Sequence, residues 1–459
     1  MKHYTSMTGH LIYLSIPGLR PGDVTGAARK DSRTSMPTLH AWAQSGALAE
    51  LTPSFPCVTS PVQASVWTGV GPGQHGVIAN GFHDRDRNQV EFWMARNGII
   101  QGEQIWDCIQ RSGHLTSAVW HAQNIKDAAA DYIVTPEPIH RPDGRTDLWC
   151  YSKPGGLYEQ LLAELGHFPL QHYWGPLASI ESSKWIIAAA QWLISRHDPN
   201  FHYIYLPHLD YASQKFGPNS PQAAEALREL DALLAGFNEF VMSSPAGPDA
   251  VFLVASEYAM TEVSSVIHPN IELRKHGLLH TREDAEGVLI DFANSRAFAM
   301  VDHQFAHVYV EQGSVDEVAA VFQAILGVDG VFAGDRRSAV AVNHPRAGEI
   351  VLVARDDCWF QYYWWADEAD APAFARTVDI HRKPGYDPVE LFIDTETKGI
   401  PLDASLVKGS HGVPAIEAKH RGAIICSKPT HFIETSRTYH DTDVKSIVLG
   451  LMGIDPDRS

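Results

Sequence analysis

The sequence predicts an α/β fold: a doubly wound, mostly parallel sheet with helices on both faces and a small α+β insert. Short apolar runs that suit buried strands alternate with amphipathic segments of helical spacing. No internal repeat, low-complexity tract or long Gly/Ser linker divides the 459 residues. Over residues 262–365 the order of predicted strands and helices departs from this alternation. We therefore predict a core formed by residues 1–261 and 366–459, with the insert between its two parts.

The core elements follow from apolar runs and from helix start and stop signals. Ser220 and Pro221 suit the N-cap and the first turn of a helix, and Gly46 suits a helix end. The predicted strands are Leu11–Ile16, Ala47–Leu51, Ser117–Trp120, His202–Leu206 and Ala250–Ala255. The predicted helices are Met36–Ser45, Ser183–Arg196 and Pro221–Phe240.

The insert is predicted as a βαββ unit. Its strands are expected over Phe298–Val310, Gly330–Ala333 and Glu349–Ala354, with a helix over Val315–Leu326. After the insert, the chain is expected to return to the main sheet near Val378.

The amino-acid composition limits the classes of molecule that the protein is expected to bind. The chain carries 36 Lys and Arg against 54 Asp and Glu, a formal net charge of −18, and its 44% hydrophobic content argues against a disordered chain. An acidic protein does not attract nucleic acid polymers or anionic membranes over a broad surface. A small phosphorylated molecule stays compatible, because a metal ion or a few arginines can reverse the field inside one pocket. The sequence leaves the oligomeric state open.

The five cysteines are scattered and never spaced as C-x-x-C. This is neither a disulfide framework nor a zinc-thiolate signature, and it favours a reducing compartment. The beginning of the sequence shows no basic segment followed by an apolar one, and no apolar run is long enough to span a bilayer. We therefore expect a cytoplasmic protein.

Polar residues follow several predicted strands, at the edge where open α/β sheets bind ligands. Thr59 precedes Ser60-Pro61, a predicted helix start, where a hydroxyl can be activated and N–H groups favour a phosphate. An S/T-P sequence is more often a simple turn. Asp210 and Glu257 each follow a buried strand, where a carboxylate needs a partner such as a metal ion. His411 lies between glycines, where the backbone can approach a ligand.

These segments resemble the alkaline phosphatase superfamily, specifically its nucleotide pyrophosphatase/phosphodiesterase branch. "FPCVTSPVQASVWTGVGPGQHGVIANGF" is similar to that branch's nucleophilic Thr, Pro and later H-G-(I/V)-x-x-N-G. "YLPHLDYASQKFGPNSP" resembles Y-x-x-x-D-x-x-G-H-x-x-G-P, "SEYAMTEV" resembles S-D-H-G-M-x-x-V, and "KGSHG" resembles G-T-H-G. Four segments in this order imply the superfamily's fold over most of the chain.

The resemblance implies a two-metal phosphohydrolase with a threonine nucleophile. Thr59 matches the nucleophile, Asp210 a carboxylate ligand of the outer metal, and His411 that metal's histidine. Four positions depart from the family. They are Pro17 for the first-strand Asp, Val62 for an Asn that steadies a phosphoryl oxygen, Gln214 for a His, and Glu257-Tyr258 for the Asp-His pair. Glu257 can still coordinate a metal, whereas tyrosine and glutamine do so poorly.

We therefore expect the site to hold one divalent ion rather than two. The types of candidate ligand indicate that this ion is zinc. Asp379 and His381 are candidates to complete its shell, because residues i and i+2 of a strand point the same way and a Gly/Pro-rich charged segment suits a site loop. His208, and His303 with His307 across one strand, are further candidates. For each histidine a surface or hydrogen-bonded core position is the commoner explanation. For the aromatic run 359–365, packing is a better explanation than base stacking.

The predicted function is a metal-dependent phosphodiesterase or phosphohydrolase that acts on a small phosphorylated metabolite. Two alternatives stay open. One is an altered or inactive member that binds a phosphorylated ligand without cleaving it. The other is an esterase or transferase acting on a non-phosphate substrate, because losing a metal removes much of the preference for a doubly charged phosphoryl group.

Overall fold

The computed structural model describes residues 9–27, 34–140, 146–245, 247–285 and 287–455. The outer ends of the predicted core, residues 1–8 and 456–459, lie outside these ranges. Within them, no helix has the length and apolar character that crossing a membrane requires.

A nine-stranded sheet organises the described part of the chain, in the order β9-β2-β8-β7-β1-β6-β3-β4-β5. Its five-residue central strand β1 pairs in parallel with β6 and β7, and both of these are fully buried apolar runs. Strand β8 runs antiparallel to β7 and β2, and β5 antiparallel to β4. The strands are β1 Leu11–Ser15, β2 Ala47–Thr52, β3 Ser117–Trp120, β4 Tyr132–Pro136, β5 Cys150–Lys153, β6 Phe201–Tyr205, β7 Val251–Ala255, β8 Gly422–Cys426 and β9 Thr438–His440.

Helices cover both faces of this sheet. One apolar cluster joins one face of β1 and β6 to the two longest helices, and a second joins the other face to the helices Thr59–Thr68, Ile105–Ser112 and Val444–Leu451. The sheet is therefore buried on both sides, as a doubly wound fold requires. The helices are α1 Pro21–Thr25, α2 Pro37–Ser45, α3 Thr59–Thr68, α4 Pro72–His75, α5 Ile105–Ser112, α6 Leu157–Leu165, α7 Ile180–His197, α8 His208–Phe216, α9 Pro221–Ser243, α10 Pro269–Lys275, α11 Val315–Gln323 and α12 Val444–Leu451.

The predicted core elements are confirmed to within three residues at each end, and the sheet is mostly parallel. Helix α9 begins as expected, with the Ser220 hydroxyl accepting a hydrogen bond from Ala223 N, and α2 ends at Gly46. Buried strands and capped helices are therefore readable from local pattern.

The insert differs from its prediction in two respects. Its four-stranded antiparallel sheet has a hairpin, Ala297–Asp302 and Phe305–Val310, where one long strand was expected, followed by α11 and the strands Val328–Ala333 and Ile350–Ala354. The polar residues Asp302, His303 and Gln304 interrupt the apolar run at the turn, and all three are buried by the rest of the chain. The return to the main sheet is at β8, not near Val378. Residues 366–421 instead form short 3-10 turns and one strand of a two-stranded ribbon.

Candidate active site

The carboxyl ends of β1, β2, β6 and β7 lie on one edge of the sheet, because these strands run in the same direction. The chain leaves β2 toward α3, leaves β6 directly into α8, and leaves β7 into Ser256-Glu257-Tyr258. This topology brings Thr59, Asp210 and Glu257 to one place, as their positions after strands predicted.

Thr59 is the first residue of α3, and its side chain is buried. The helix starts earlier than the expected Ser60 N-cap, because Val62 N already donates to Val58 O, and the Ser60 hydroxyl is buried without acting as a cap. The start of a ten-residue helix presents backbone N–H groups and a partial positive charge, which favour an anionic group beside Thr59.

Tyr258 joins Thr59 to Asp210. Its hydroxyl donates to Asp210 Oδ2 at 2.8 Å and lies 3.2 Å from Thr59 Oγ1. Because the single phenol proton goes to Asp210, the Thr59 hydroxyl is the donor to the Tyr258 oxygen. The threonine proton therefore has a path toward a carboxylate. The path runs through Tyr258, which the sequence indicated only as the replacement of a metal ligand.

Glu257 lies beside this chain of hydroxyls. Its Oε1 accepts hydrogen bonds from Ser15 Oγ at the end of β1 and from Gln63 Nε2 on α3, both at 2.7 Å. Residues near Pro17 and on α3 therefore hold this carboxylate directly.

His411 reaches the site through a two-stranded ribbon, Thr261–Glu262 with Gly409–Ser410, which ties it to the segment after Tyr258. Its Nδ1 bonds the carbonyl of Cys57 at 2.8 Å, and its ring stacks on Tyr258 with centroids 3.6 Å apart. Asp210 and His411 therefore contact the same side chain, which agrees with their predicted proximity.

A stack of four rings runs through the site: Tyr258, His411, His303 and Tyr386. Successive centroids are 3.6, 3.8 and 3.7 Å apart. At the far end, the Tyr386 hydroxyl donates to Gln214 Oε1 at 2.7 Å. The stack thus joins Asp210 at one end to Gln214 at the other, one turn apart on α8.

The prediction that His303 and His307 share a strand face is wrong. His303 lies in the hairpin turn with φ +60°, whereas His307 lies on the following strand and bonds Ile78 O. Only His303 belongs to the ring stack. His208 begins α8 and bonds Glu229 at 2.9 Å.

An asparagine reaches the start of α3, although Val62, the position that the resemblance indicated, is a buried apolar residue of that helix. Asn80 Oδ1 accepts from Ser60 N at 2.9 Å, and Asn80 Nδ2 donates to Asp302 Oδ1 at 3.1 Å. Sequence reasoning missed this role of Asn80, although the H-G-V-I-A-N-G segment contained the signal. It missed Tyr386 and Asp302 for want of any local signal.

Asp379 and His381 do not lie on a strand. Asp379 Oδ1 accepts from the backbone N–H groups of His381 and Arg382, and its other oxygen pairs with the Arg382 guanidinium. His381 Nδ1 lies 3.1 Å from Phe92 O. Asp379 and His381 were expected to bind one ion because alternate residues of a strand point the same way. These side-chain hydrogen bonds form a turn instead, so that argument does not apply.

Burial shifts the ionisation of the site. It raises the pKa of Asp210 to about 7, although the Tyr258 hydrogen bond opposes this, and it raises the pKa of Glu257 to about 8 against the bonds from Ser15 and Gln63. Burial lowers the pKa of His411 well below its ordinary value, with neighbouring His303 lowering it further. At neutral pH these shifts favour a neutral Glu257 and a neutral His411, whereas a pKa of about 7 leaves ionised Asp210 populated and able to accept a proton.

The donor set does not fit the metal ions that the fold implies. Pro17 has no ligand atom, and Tyr258 and Gln214 stand at two further ligand positions. Within the described ranges, no group of three or more His, Cys, Asp or Glu side chains is placed to hold an ion. Asp210 Oδ1, Glu257 Oε2 and His411 Nε2 are buried without a hydrogen-bond partner in the described structure. The single zinc site stays a prediction, because the described residues do not form a set of ligands for it.

The sheet order and a helix-start threonine facing acidic strand ends define a member of the alkaline phosphatase superfamily. Residues 11–387 match the family model for type I phosphodiesterase / nucleotide pyrophosphatase, and the chain belongs to this family. Members of this family are phosphoester hydrolases that generally depend on divalent metals.

Solved structures share the fold at low identity. Murine ectonucleotide pyrophosphatase / phosphodiesterase 5, an inactive form in complex with AMP, has a TM-score of 0.62 and 16% identity over 97% of this chain and 95% of that one. Phosphonoacetate hydrolase from Sinorhizobium meliloti 1021, in complex with phosphonoacetate, has a TM-score of 0.64 and 17% identity over 98% of this chain and 97% of that one.

Proposed function

We propose that this protein hydrolyses a phosphoester of a small phosphorylated molecule, with Thr59 as the nucleophile. The observation that carries the proposal is the hydrogen-bonded series from Thr59 through Tyr258 to Asp210 at the start of α3. Family membership supports the reaction class. The AMP and phosphonoacetate held by proteins of the same fold support a small ligand with an anionic phosphorus group.

In this proposal Thr59 Oγ attacks phosphorus, and the bond from phosphorus to the leaving oxygen breaks. The Thr59 proton passes to Tyr258 as the Tyr258 proton passes to ionised Asp210, and Asp210 then gives that proton to the leaving oxygen, which departs as an alcohol. Water next attacks the phosphorus of phosphorylated Thr59, the bond from phosphorus to Thr59 Oγ breaks, and one water proton returns to Thr59 Oγ as the phosphate product leaves. The partial positive charge at the start of α3 stabilises charge on the phosphoryl oxygens.

Thr59→Ala tests the nucleophile. We expect turnover of bis(p-nitrophenyl) phosphate to fall at least about 100-fold, with little change in melting temperature, because a site hydroxyl contributes little packing. Thr68→Ala is the matched control: the same substitution on α3, at a buried hydroxyl that bonds Ala64 O instead of site residues. Equal turnover by wild type and Thr59→Ala would refute the proposal.

A second candidate is binding without cleavage. Its specific support is that the Tyr258 hydroxyl bonds both Thr59 Oγ1 and Asp210 Oδ2, so the hydroxyl of the nucleophile is engaged in a hydrogen bond within the protein. This candidate predicts no turnover of any phosphoester by the wild type, together with thermal stabilisation by AMP or phosphonoacetate. The esterase or transferase alternative instead predicts turnover of p-nitrophenyl acetate that depends on Thr59.

We also propose a reducing compartment, in keeping with the expected cytoplasmic location. All five cysteines are free and buried thiols. Fractionation of cells that express the natural gene would test the location.

A further inference from the structure

We propose that the four-ring stack of Tyr258, His411, His303 and Tyr386 has replaced the family's metal ions, so that the site works without a divalent ion. This inference rests on the site proposed above, but it concerns how that site is held together. It does not depend on whether the bound ligand is cleaved.

The first support is that Tyr258 makes the contacts expected of a bridging group. Its hydroxyl joins Thr59 Oγ1, which the resemblance assigns to the nucleophile, to Asp210 Oδ2, which the resemblance assigns to metal coordination. A phenol differs from a cation because it donates only one proton and brings no net charge. One hydrogen bond to Asp210 therefore stands where ionic coordination was expected.

The second support is that the ring stack makes hydrogen bonds at two positions where the family has histidine. One end of the stack is Tyr258 itself, and Tyr386 at the other end donates to Gln214. The stack is buried throughout, with 1–6% of the surface of each ring residue exposed. His303 is fixed by Asp302, whose Oδ1 lies 2.7 Å from His303 Nδ1. The two outer pairs of rings are stacked, and the two histidine rings between them are tilted by 39°, so the four rings pack closely against one another.

The third support is Glu257, which is held by neutral donors. Ser15 and Gln63 both donate to its Oε1, so protein groups have taken over part of its coordination. In the described structure, the three polar side chains at positions that depart from the family each make at least one side-chain hydrogen bond: Gln214 with Tyr386, Glu257 with Ser15 and Gln63, and Tyr258 with Asp210.

The first experiment measures zinc in the wild-type protein. The chain is purified without chelator, dialysed against micromolar zinc and then against metal-free buffer, and subjected to elemental analysis. We expect well under one zinc per chain, and a melting temperature that neither zinc nor EDTA changes. One or two retained ions that disappear in His411→Gln would overturn the proposal, whereas zinc that His411→Gln leaves in place is adventitious surface binding and agrees with it.

The second experiment rebuilds an ion site with Gln214→His/Tyr258→His. Residues 210 and 214 share one face of α8, so the new histidine at 214 adds to Asp210 and His411 as a third zinc ligand. We expect about one zinc per chain and a melting temperature that zinc raises. The same variant with His411→Gln added should lose both effects. A folded double variant that binds no zinc would overturn the proposal.

Tyr258→Phe keeps the test decisive if the double variant does not fold. It retains the stacked ring and removes only the hydroxyl, which leaves Asp210 without its hydrogen bond. We expect a lower melting temperature and no gain of zinc. A melting temperature equal to that of the wild type would overturn the bridging role of the hydroxyl. All these readouts are independent of turnover, so an inactive protein can pass them and an active one can fail them.

Discussion

The buried ammonium of Lys383 gives the sharpest stability prediction. Its Nζ lies 2.8 Å from Asp387 Oδ2, 2.6 Å from Glu390 Oε1 and 3.1 Å from Thr377 O, and each of the three charged side chains is 1% exposed. Burial alone would lower the pKa of Lys383, but Asp387 and Glu390 raise it above its ordinary value. Lys383 is therefore a cation held between two buried acids.

Lys383→Met removes the cation and leaves both carboxyl groups buried. Breaking a buried ion pair by deleting one partner costs about 3–5 kcal/mol, and we expect about 4 kcal/mol here. That is a large part of the total stability of an ordinary domain, about 5–15 kcal/mol. The consequence reaches the site, because Tyr386, which stacks on His303 and bonds Gln214, lies between Lys383 and Asp387.

Urea unfolding followed by tryptophan fluorescence measures this cost. Arg382→Ala is the matched control: the neighbouring residue also pairs with an acid, Asp379, but its side chain is 50% exposed, so we expect less than about 1 kcal/mol. Adding Asp387→Asn and Glu390→Gln to Lys383→Met should recover at least half of the loss. A cost for Lys383→Met no larger than that of Arg382→Ala would refute the reasoning, as would a triple variant no more stable than the single one.

Three further predictions use unfolding measurements. Gly236→Ala should stabilise the protein by about 1 kcal/mol, because Gly236 lies within α9 and an added Cβ meets nothing within 4 Å; no gain would contradict this. Gly46→Ala should cost about 3 kcal/mol or more, because its Cβ would lie 2.0 Å from Cys426 O; a cost under 1 kcal/mol would contradict it. Burial raises the pKa of Asp441, which accepts from Ser54, to about 7. The folded state then keeps a proton that the unfolded chain releases, so stability falls by up to about 1.4 kcal/mol per unit between pH ~4 and ~7. Asp441→Asn should reduce that slope, and parallel pH profiles would contradict it.

Local pattern predicted the fold because buried strands and capped helices carry their signal within a few residues. The positions of Thr59, Asp210 and Glu257 after predicted strands also indicated the sheet edge where the structure brings them together, whereas His411 was indicated by its flanking glycines and by the family resemblance. It misjudged Asp379, because a side chain that bonds the following N–H groups forms a turn where alternation suggested a strand.

The ring stack was beyond such reasoning. Its members come from four distant segments, including the hairpin turn of the insert and the segment after Lys383. Nothing near Tyr386 in the sequence indicates that its ring lies 3.7 Å from that of His303. Nor does an isolated tyrosine in place of a ligand indicate whether it fills a space or makes a bond. Only the three-dimensional arrangement shows that the Tyr258 hydroxyl makes a hydrogen bond.

The pattern of satisfied and unsatisfied atoms distinguishes a rebuilt site from a decayed one. A buried polar group without a partner costs about 1–3 kcal/mol, so simple loss of metal ligands would leave unpaired atoms at the altered positions. Instead Tyr258 and Gln214 are both bonded through their side-chain oxygens. Unpartnered atoms of these site side chains remain on Asp210 and His411, which match the family, and on Glu257, an altered position that still carries a carboxyl group. Unpaired atoms on the acids and the histidine that face Tyr258 are what a site needs to receive a polar ligand, and they indicate that ligand recognition was kept while the means of holding the site changed.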